Sequence, residues 1–359
     1  MLVAHEAPRF LLLRGLIGPE AVVDDDLVVR EWSRRNRNLQ VERTNGASYF
    51  LKQSMPLYDG RTAADEARMI GALAAQGGPI ADHLPTLVLH EPDESLLGLE
   101  MLREDESLQA LQSRTWVVTP DVAAAVGAAL ARLHQTADVI NEAAPMPWGL
   151  DGQQLGTDAL RELTPSGLAM VRMLQGSGLA ERLTDLAGEW REAALIHGDL
   201  SWQNVLVPPG RPGEVPRVTL VDWESAGVGD PAWDIGCLLA GFLSAWLFSI
   251  PAGGEETDTR RLRALAAIPL DSLQPSIRAC WHAYRHALGP AGDDPIDVSL
   301  SRVVGFAAAG LVQMAYGGAH LTERPTGSAI LHLQVADNML DRPEEAAAAL
   351  LGLSSRESP

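Results

Sequence analysis

The chain has 359 residues, of which 46% are hydrophobic and 21% charged, a balance that is ordinary for a globular protein with room for two cores. Its formal net charge of −19 argues against a nucleic-acid partner, because phosphate backbones are bound by clustered Lys and Arg. The acidity is compatible with a cationic ligand, such as an aminosugar or a basic peptide. Cys237 and Cys280 lie in apolar stretches and are typical of reduced, buried residues rather than of a disulfide framework.

Neither of the two apolar runs that could direct the chain to a membrane is long enough to do so. The run at residues 10–13 is too short for a signal sequence. The run at residues 235–250 is interrupted by Gly236 and Gly241 and falls short of the ~20 residues that a membrane span needs. We therefore expect a core helix at this second run, no membrane partner and a cytoplasmic location.

Short apolar stretches separated by turn signals fill the first third of the chain. We expect residues 1–24 to form a helix and a loop that pack on a small domain. Asn45-Gly46 is a strong hairpin signal, and residues 62–76 predict an amphipathic helix with Thr62 as its N-cap. The small domain is then an antiparallel sheet over residues 1–102, with predicted strands at 27–32, 39–43, 47–53, 86–90 and 96–102.

The remainder of the chain, residues 103–359, is predicted to be mostly helical. A turn-rich insert at residues 208–216 separates two short strands, and its proline and glycine content forbids regular structure. The sequence thus predicts an α+β protein with a small antiparallel-sheet domain and a larger helical one. The predicted helices are 121–137, 166–177, 179–193, 235–249, 259–268, 274–288, 298–317 and 327–340.

Three polar side chains near the ends of buried strands stand out: Asp199, Asn204 and Asp222. Buried strands are rigid supports, which is where a reactive group should sit. The spacing His197-Gly198-Asp199-Leu200 followed by Asn204 matches the catalytic-loop pattern of the protein-kinase superfamily, except that glycine replaces the usual arginine. Asp222 follows after a hairpin-like segment and occupies the place of the metal-binding aspartate of that pattern.

These segments resemble the aminoglycoside phosphotransferase and choline kinase family, the small-molecule branch of the kinase-like fold. The resemblance covers about residues 25–135 and 190–245. It implies a bilobal protein-kinase-like fold, with an N-lobe over residues 1–102 that covers the nucleotide and a C-lobe over 103–359 that carries the catalytic loop, metal site and acceptor-binding helices. The residues that carry it are HGDLSWQN at 197–204, VDWESAGVGDPAWDIG at 221–236, Lys52 and Glu66.

The resemblance also implies roles for single residues in a reaction that uses ATP, or GTP, with Mg²⁺. Asp199 is the implied catalytic base, and Asn204 and Asp222 supply the oxygen ligands that Mg²⁺ prefers. Lys52 bridges the phosphates, and Glu66 holds Lys52 in place, with Asp65 as the competing candidate. The resemblance further places Asp234 under the catalytic-loop backbone, and it implies that the adenine pairs at the hinge with the Glu100 carbonyl and the Leu102 amide.

Two features depart from the family pattern or leave alternatives open. The loop between the first two strands has no glycine and instead carries Arg34, Arg35 and Arg37. Guanidinium groups match phosphate geometry, so Arg35 and Arg37 are candidates for phosphate contact, and a solvated basic turn is equally open. Glu224 is either a second metal ligand or a supporting residue beside Trp223, and the second role is favoured.

The phosphate acceptor is the least determined part of the prediction. The default from the resemblance is a hydroxyl of an aminoglycoside-like or other amino-alcohol compound. The alternative is a Ser or Thr of a ribosomal precursor peptide, as in lanthipeptide or thioamitide maturation, with a lyase partner that eliminates the phosphate. Trp281, Tyr284 and Tyr316 either line the acceptor pocket or belong to the core. A nucleotide-binding scaffold, and a metal-dependent hydrolase using His197 and Asp199, are disfavoured.

Overall fold

The computed structural model describes most of the chain, and it shows an α+β protein with an antiparallel sheet in its N-terminal part and helices in its C-terminal part. The C-lobe is predicted to begin at residue 103, and residues 103 and 104 lie outside the described residues. The described residues are 1–24, 26–32, 36–55, 61–102, 105–136, 140–148, 150, 164–209, 216–252, 259–289, 296, 298–319 and 322–354.

A five-stranded antiparallel sheet forms the N-lobe, with strand order β1-β2-β3-β5-β4. All five predicted strands are present, but β2 begins at Asn36, three residues before the predicted start. The sequence predicts a loop at Asn36 and Asn38, but both residues belong to β2 and lie on the opposite face of the strand from Leu39. The strands are β1 Leu27–Glu31, β2 Asn36–Arg43, β3 Tyr49–Ser54, β4 Leu87–Glu91 and β5 Leu96–Glu100.

Helices cover this sheet from two directions. The N-terminal helices α1 (Ala7–Leu13) and α2 (Pro19–Val23) contribute apolar side chains to a core that includes Leu39 and Leu51. Helix α3 (Ala63–Gln76) begins as predicted, because the Thr62 side chain accepts from the Asp65 N–H at 3.4 Å and the Asp65 carboxylate accepts from the Thr62 N–H at 2.7 Å.

Ten helices build the described part of the C-lobe. The sequence did not predict α4, in which only Leu108 and Gln112 are buried. Helix α5 ends at His134 rather than at residue 137, and α7 ends at Gly188 rather than at residue 193. The bounds are α4 Leu108–Thr115, α5 Pro120–His134, α6 Pro165–Gly176, α7 Leu179–Gly188, α8 Pro231–Phe248, α9 Thr259–Ala264, α10 Leu270–Leu288, α11 Leu300–Gly317, α12 Gly327–Asp341 and α13 Pro343–Ala346.

The predicted core helix is α8. It is long and apolar enough to cross a membrane by length and composition alone, but 89% of that stretch is buried inside the protein. Residues of α8 pack on α11, and Cys237 of α8 and Cys280 of α10 are buried free thiols. Asp199, Asn204 and Asp222 lie in the segments between short strands of the C-lobe. These strands are β6 Glu106–Ser107, β7 Ala194–Ile196, β8 Val205–Val207, β9 Thr219–Leu220 and β10 Gly227–Gly229.

Candidate active site

Asp234, in the first turn of α8, fixes the start of the catalytic loop. Its carboxylate is fully buried and accepts hydrogen bonds from the backbone N–H groups of His197, at 2.7 Å, and Gly198, at 3.0 Å. The His134 ring lies 3.3 Å from the same carboxylate and hydrogen-bonds on its other side to the Tyr284 hydroxyl at 2.8 Å. A buried polar chain therefore joins α5, α8 and α10 beneath the loop.

Gly198 explains why the kinase-superfamily arginine is missing from this loop. Its φ of 79° lies in the left-handed region, which a residue with a side chain adopts only at a cost. A Cβ built on it would lie 2.4 Å from the Ser225 carbonyl oxygen, and its own carbonyl accepts a hydrogen bond from the Trp233 indole at 2.9 Å. The backbone conformation and the close contact both require glycine here.

Asn204 is oriented by the loop that it ends. Its side-chain NH₂ donates to the Asp199 carbonyl oxygen at 2.8 Å, and its own carbonyl accepts from the Val221 N–H at 3.0 Å. Because the amide nitrogen is used in this bond, the amide oxygen remains as the atom that can ligate a cation. The loop thereby couples the predicted base, Asp199, to a predicted metal ligand, and ties both to the strand that leads into Asp222.

Lys52 is the electrostatic centre of the site. Its ammonium contacts the Asp222 carboxylate and lies 2.8 Å from both Glu66 Oε2 and Glu224 Oε2. Burial by itself would lower the pKa of Lys52, but the Glu66 and Asp222 carboxylates outweigh it and raise the pKa above its ordinary value. Lys52 is therefore a permanent cation, and Asp222 is held beside it in a left-handed backbone conformation with φ 67°.

Glu66, and not Asp65, is the partner of Lys52. One Glu66 oxygen contacts the ammonium and the other accepts the Trp223 N–H at 3.2 Å, so the carboxylate bridges α3 and the segment that carries Asp222. Burial raises the pKa of Glu66 despite the neighbouring cation. Asp65 instead caps α3 and pairs with Arg68 on the surface. The sequence left Glu66 and Asp65 open as partners of Lys52, and these contacts identify Glu66.

Glu224 is buried, and it accepts a hydrogen bond from the Asn36 side chain at 3.1 Å in addition to its contact with Lys52. Oxygens of Glu66, Asp222 and Glu224 lie within 4.8 Å of one another, an arrangement that could hold a cation. In this structure all three carboxylates share the single Lys52 ammonium. The contacts favour the supporting role for Glu224. The sequence interpretation missed Asn36, and the polar alternation of β2 was the signal that could have found it.

A cleft of about 360 Å³ between the lobes, which we call the nucleotide cleft, collects most of the predicted site. Lys52, Glu66, Asn204 and Asp222 line it at one end. The hinge residues Glu100 and Leu102 line it too, and the intervening Met101 N–H donates to the Ser48 carbonyl at 2.8 Å. Apolar walls come from Phe50, Leu99, Leu206 and Val221, which would suit a planar base.

The position of Arg37 does not agree with the expectation that Arg37 contacts phosphate. Arg37 lies within β2 and shares a face with Leu39, which belongs to the core under α1, whereas Asn38 lines the nucleotide cleft. The Arg37 guanidinium lies 3.3 Å from Glu31 and donates to the Leu2 carbonyl at 3.1 Å. Arg37 therefore points to the opposite side of the sheet from the cleft, because side chains alternate along a strand. Arg34 and Arg35 lie outside the described residues.

The three aromatic candidates for the acceptor pocket differ in their burial and packing. Tyr284 is fully buried and Trp281 is 7% exposed, so both belong to the core. Tyr316 packs edge-on against Trp148, with ring centroids 4.5 Å apart. His197, considered as a metal ligand, is fully buried and faces the Val221 carbonyl at 3.0 Å, which is a structural position.

Comparisons with known proteins bear on the family and on the fold. A family model described as the phosphotransferase enzyme family matches residues 27–287. A choline kinase from Cryptosporidium parvum Iowa II superposes with a TM-score of 0.56 at 12% identity, covering 94% of this chain and 97% of that one. Choline kinase LicA from Streptococcus pneumoniae superposes with a TM-score of 0.50 at 14% identity, covering 92% and 99%.

A structure of LicA in complex with AMP also superposes, with a TM-score of 0.50 at 16% identity, and covers 92% of this chain and 95% of that one. At these identities the likeness establishes the fold, so the predicted bilobal kinase-like architecture is confirmed. A search of curated protein sequences returned no match to the chain.

Proposed function

Because the chain belongs to the phosphotransferase enzyme family, we propose that it moves the γ-phosphoryl group of ATP, or of GTP, to a hydroxyl of a small molecule. The observation that carries the proposal is the nucleotide cleft, where Lys52, Asn204 and Asp222 converge. An ammonium and two oxygen donors at one end of an apolar slot suit a nucleotide whose base lies at the hinge. The AMP bound to the similar choline kinase supports the same ligand class.

In the proposed reaction, the acceptor oxygen forms a bond to the γ-phosphorus while the bond between that phosphorus and the bridging oxygen of the leaving diphosphate breaks. Asp199 accepts the proton of the acceptor hydroxyl. Lys52, held by Glu66, pairs with the phosphates. Asn204 and Asp222 offer one amide and one carboxylate oxygen, a donor set that fits Mg²⁺, whose charge would neutralise the phosphate oxygens. Glu100 and Leu102 would bind the adenine through their backbone groups.

An amino-alcohol or aminoglycoside-like acceptor is the class that the family resemblance supplies. The similarity to choline kinases favours a small-molecule hydroxyl over a peptide serine or threonine. No contact among the described residues favours a precursor peptide or a lyase partner, so neither belongs to the proposal.

Phosphate transfer from ATP to a mixed panel of hydroxyl compounds, followed by mass spectrometry, tests the function. We expect Asp199→Asn to slow transfer by about 10²- to 10⁴-fold, the contribution typical of a general base. Asp271→Asn, which changes an exposed carboxylate in α10, is the matched control and should transfer at the wild-type rate. Chelation of divalent cations should abolish transfer, and added Mg²⁺ should restore it.

Two results would contradict this account. Wild-type turnover in Asp199→Asn would remove that carboxylate as the base. Transfer that persists under chelation would remove the metal role of Asn204 and Asp222.

A further inference from the structure

A second and larger cavity, of about 650 Å³, lies against the same loop. Residues Ser201, Trp202 and Gln203 line it, whereas the next residue, Asn204, lines the nucleotide cleft. The segment that follows Asp199 therefore has one part facing each cavity. The remaining walls come from α4, α8 and α11, and the volume falls in the range of small-molecule sites. We call this space the acceptor cavity.

The acceptor cavity carries no formal charge on its walls. Of the fifteen described residues that line it, none is Asp, Glu, Lys, Arg or His. The chain as a whole is strongly acidic, with a formal net charge of −19, so a cavity without any acidic side chain differs from the rest of the protein. An ammonium group bound here would find amide and hydroxyl oxygens but no described carboxylate, so its charge would not be neutralised.

Three glutamine side chains reach this cavity without a protein partner. Gln109 and Gln112 lie on α4, Gln203 lies on the catalytic loop, and the described part of the chain offers none of their amides a hydrogen bond. Gln112 is only 8% exposed overall, so most of its side chain is buried and it meets solvent only where it lines the cavity. Amides both donate and accept, so they match hydroxyl groups, which do the same.

Aromatic faces at the rim complete the site. Trp116 is 57% exposed and Phe248 is 65% exposed, although both border the cavity. Trp116 also has a φ of 69°, a conformation that a bulky residue rarely adopts and that concentrates at functional sites. Exposed rings beside unpaired amides are the combination that holds a compound with apolar faces and hydroxyl edges.

We propose that the acceptor cavity binds the phosphate acceptor and that the acceptor is an uncharged, hydroxyl-bearing ring compound, such as a neutral glycoside. This rests on the proposed phosphotransferase function, and it departs from the amino-alcohol class that the family resemblance supplies. The amides of Gln109, Gln112 and Gln203 bind the hydroxyl groups, the rims formed by Trp116 and Phe248 cover the apolar faces, and one hydroxyl extends past Ser201 to Asp199.

The test offers the wild-type enzyme and ATP a panel of matched pairs, each a neutral sugar or glycoside and its amino-substituted counterpart, together with Ser/Thr peptides. We expect phosphate on neutral members and at least a tenfold lower kcat/KM for their amino counterparts. Preferential transfer to the amino members or to a peptide overturns the inference. ATP hydrolysis without transfer to any neutral member overturns it as well. Absence of any nucleotide turnover removes the proposed function itself.

Two adjacent glycines supply the variant and its control. Gly317 borders the acceptor cavity and Gly318 does not, and a Cβ at either position meets no described heavy atom within 4 Å. Gly317→Phe should therefore fold and place a ring in the cavity, raising the acceptor KM at least tenfold while the ATP KM stays unchanged. Gly318→Phe should leave both constants unchanged. Equal acceptor KM values for the two variants would place the acceptor elsewhere.

Gln112→Glu probes the charge argument directly. A carboxylate at this buried position supplies the partner that an ammonium group lacks in the wild-type cavity. We expect the preference within each matched pair to shift at least tenfold toward the amino member. Gln112→Met, which removes the amide without adding charge, should lower kcat/KM for neutral acceptors and leave the ratio within each pair unchanged. A ratio that moves equally in both variants contradicts the inference.

Discussion

The nucleotide cleft and the acceptor cavity lie on either side of one short loop, yet they are built from opposite chemistry. In the cleft, Lys52 contacts three carboxylates, and each ionised group has a partner. In the acceptor cavity, the described walls are amides, hydroxyls and aromatic rings. The first region must hold charge in fixed positions, because phosphoryl transfer is catalysed mainly by positioning and by charge neutralisation.

The difference also concerns how the two regions are supported. Lys52 lies within a buried strand, Asp222 follows one, and Glu66 lies on α3. Asp234 holds the backbone at the start of the catalytic loop. The walls of the acceptor cavity come from α4, α8 and α11, which are far apart in the sequence. Substitutions in the walls of the acceptor cavity can therefore alter its shape without altering the ionic residues of the cleft. The same phosphoryl-transfer chemistry can then serve acceptors of different shape.

The largest expected effect is on the charged side. Lys52→Met leaves buried carboxylates uncompensated and should lower the free energy of unfolding by about 3–5 kcal/mol at pH 7.5. Glu224→Gln added to it should recover part of the loss. Gln112→Met on the uncharged side should cost less than about 1 kcal/mol, because the amide has no described partner to lose. Urea unfolding measures all three, and equal losses at positions 52 and 112 would erase the contrast between the regions.

The loop between the two regions provides the next test. Gly198→Ala should lower the free energy of unfolding by more than about 2 kcal/mol, since it combines a left-handed backbone with a contact 2.4 Å from the Ser225 carbonyl. Gly178→Ala is the control, because its φ of 74° is similar but no described atom lies within 4 Å of the added Cβ. It should cost about 1 kcal/mol. Equal losses would mean that backbone strain alone, without the contact, explains the glycine in the loop.

The sequence predicted the cleft well, and the physical reason is local. Asp199, Asn204 and Asp222 lie within one stretch at strand ends, so their convergence follows from few contacts. Lys52 and Glu66 come from the other lobe, but a strand and a helix with clear periodicity carry them. Lys52, Glu66, Asn204 and Asp222 line the cleft, and the chemical roles of all five residues stay a proposal. The polar alternation of β2 was read as a loop, which misplaced Arg37.

The acceptor cavity could not be predicted in the same way. Gln112 lies on α4 and Trp116 directly follows it; α4 is a short helix with little apolar periodicity, and nothing in that stretch marks it as part of a site. Gly241 and Gly317 approach it only because α8 and α11 pack together, which is a long-range contact. The aromatic residues singled out from the sequence, Trp281 and Tyr284, instead joined the core, since periodicity cannot tell a buried pocket wall from packing.

Trp116→Gly tests the acceptor cavity, and its expected effect is smaller than those above. Glycine adopts a φ of 69° without cost, so the variant should keep its stability or gain about 1 kcal/mol. The acceptor KM should rise about tenfold because the exposed ring is lost, while the ATP KM stays the same. Steady-state kinetics with both substrates, beside urea unfolding, measures this. A loss of stability with unchanged acceptor KM would make Trp116 a packing residue instead.

The smallest effect concerns two buried histidines, His83 and His332, neither of which lines the cleft or the acceptor cavity. His83 lies 2.8 Å from the Val218 carbonyl and 2.7 Å from Arg132, and His332 lies 2.9 Å from the Ser244 hydroxyl at the acceptor cavity. Burial lowers the pKa of both below 6.5, and for His83 the Arg132 charge adds to this. Below pH 6.5 the unfolded chain therefore binds more protons than the folded one, so stability falls with the pH.

His83→Gln and His332→Gln should each reduce the loss of Tm between pH 7.5 and pH 5.5, by an amount on the order of 1–2 °C. Glutamine keeps a donor and an acceptor but does not titrate. Because the two histidines do not share a partner, the double variant should show the sum of the two reductions. If only one variant showed a smaller loss of Tm, protonation of the other histidine would not contribute to the acid sensitivity of the fold.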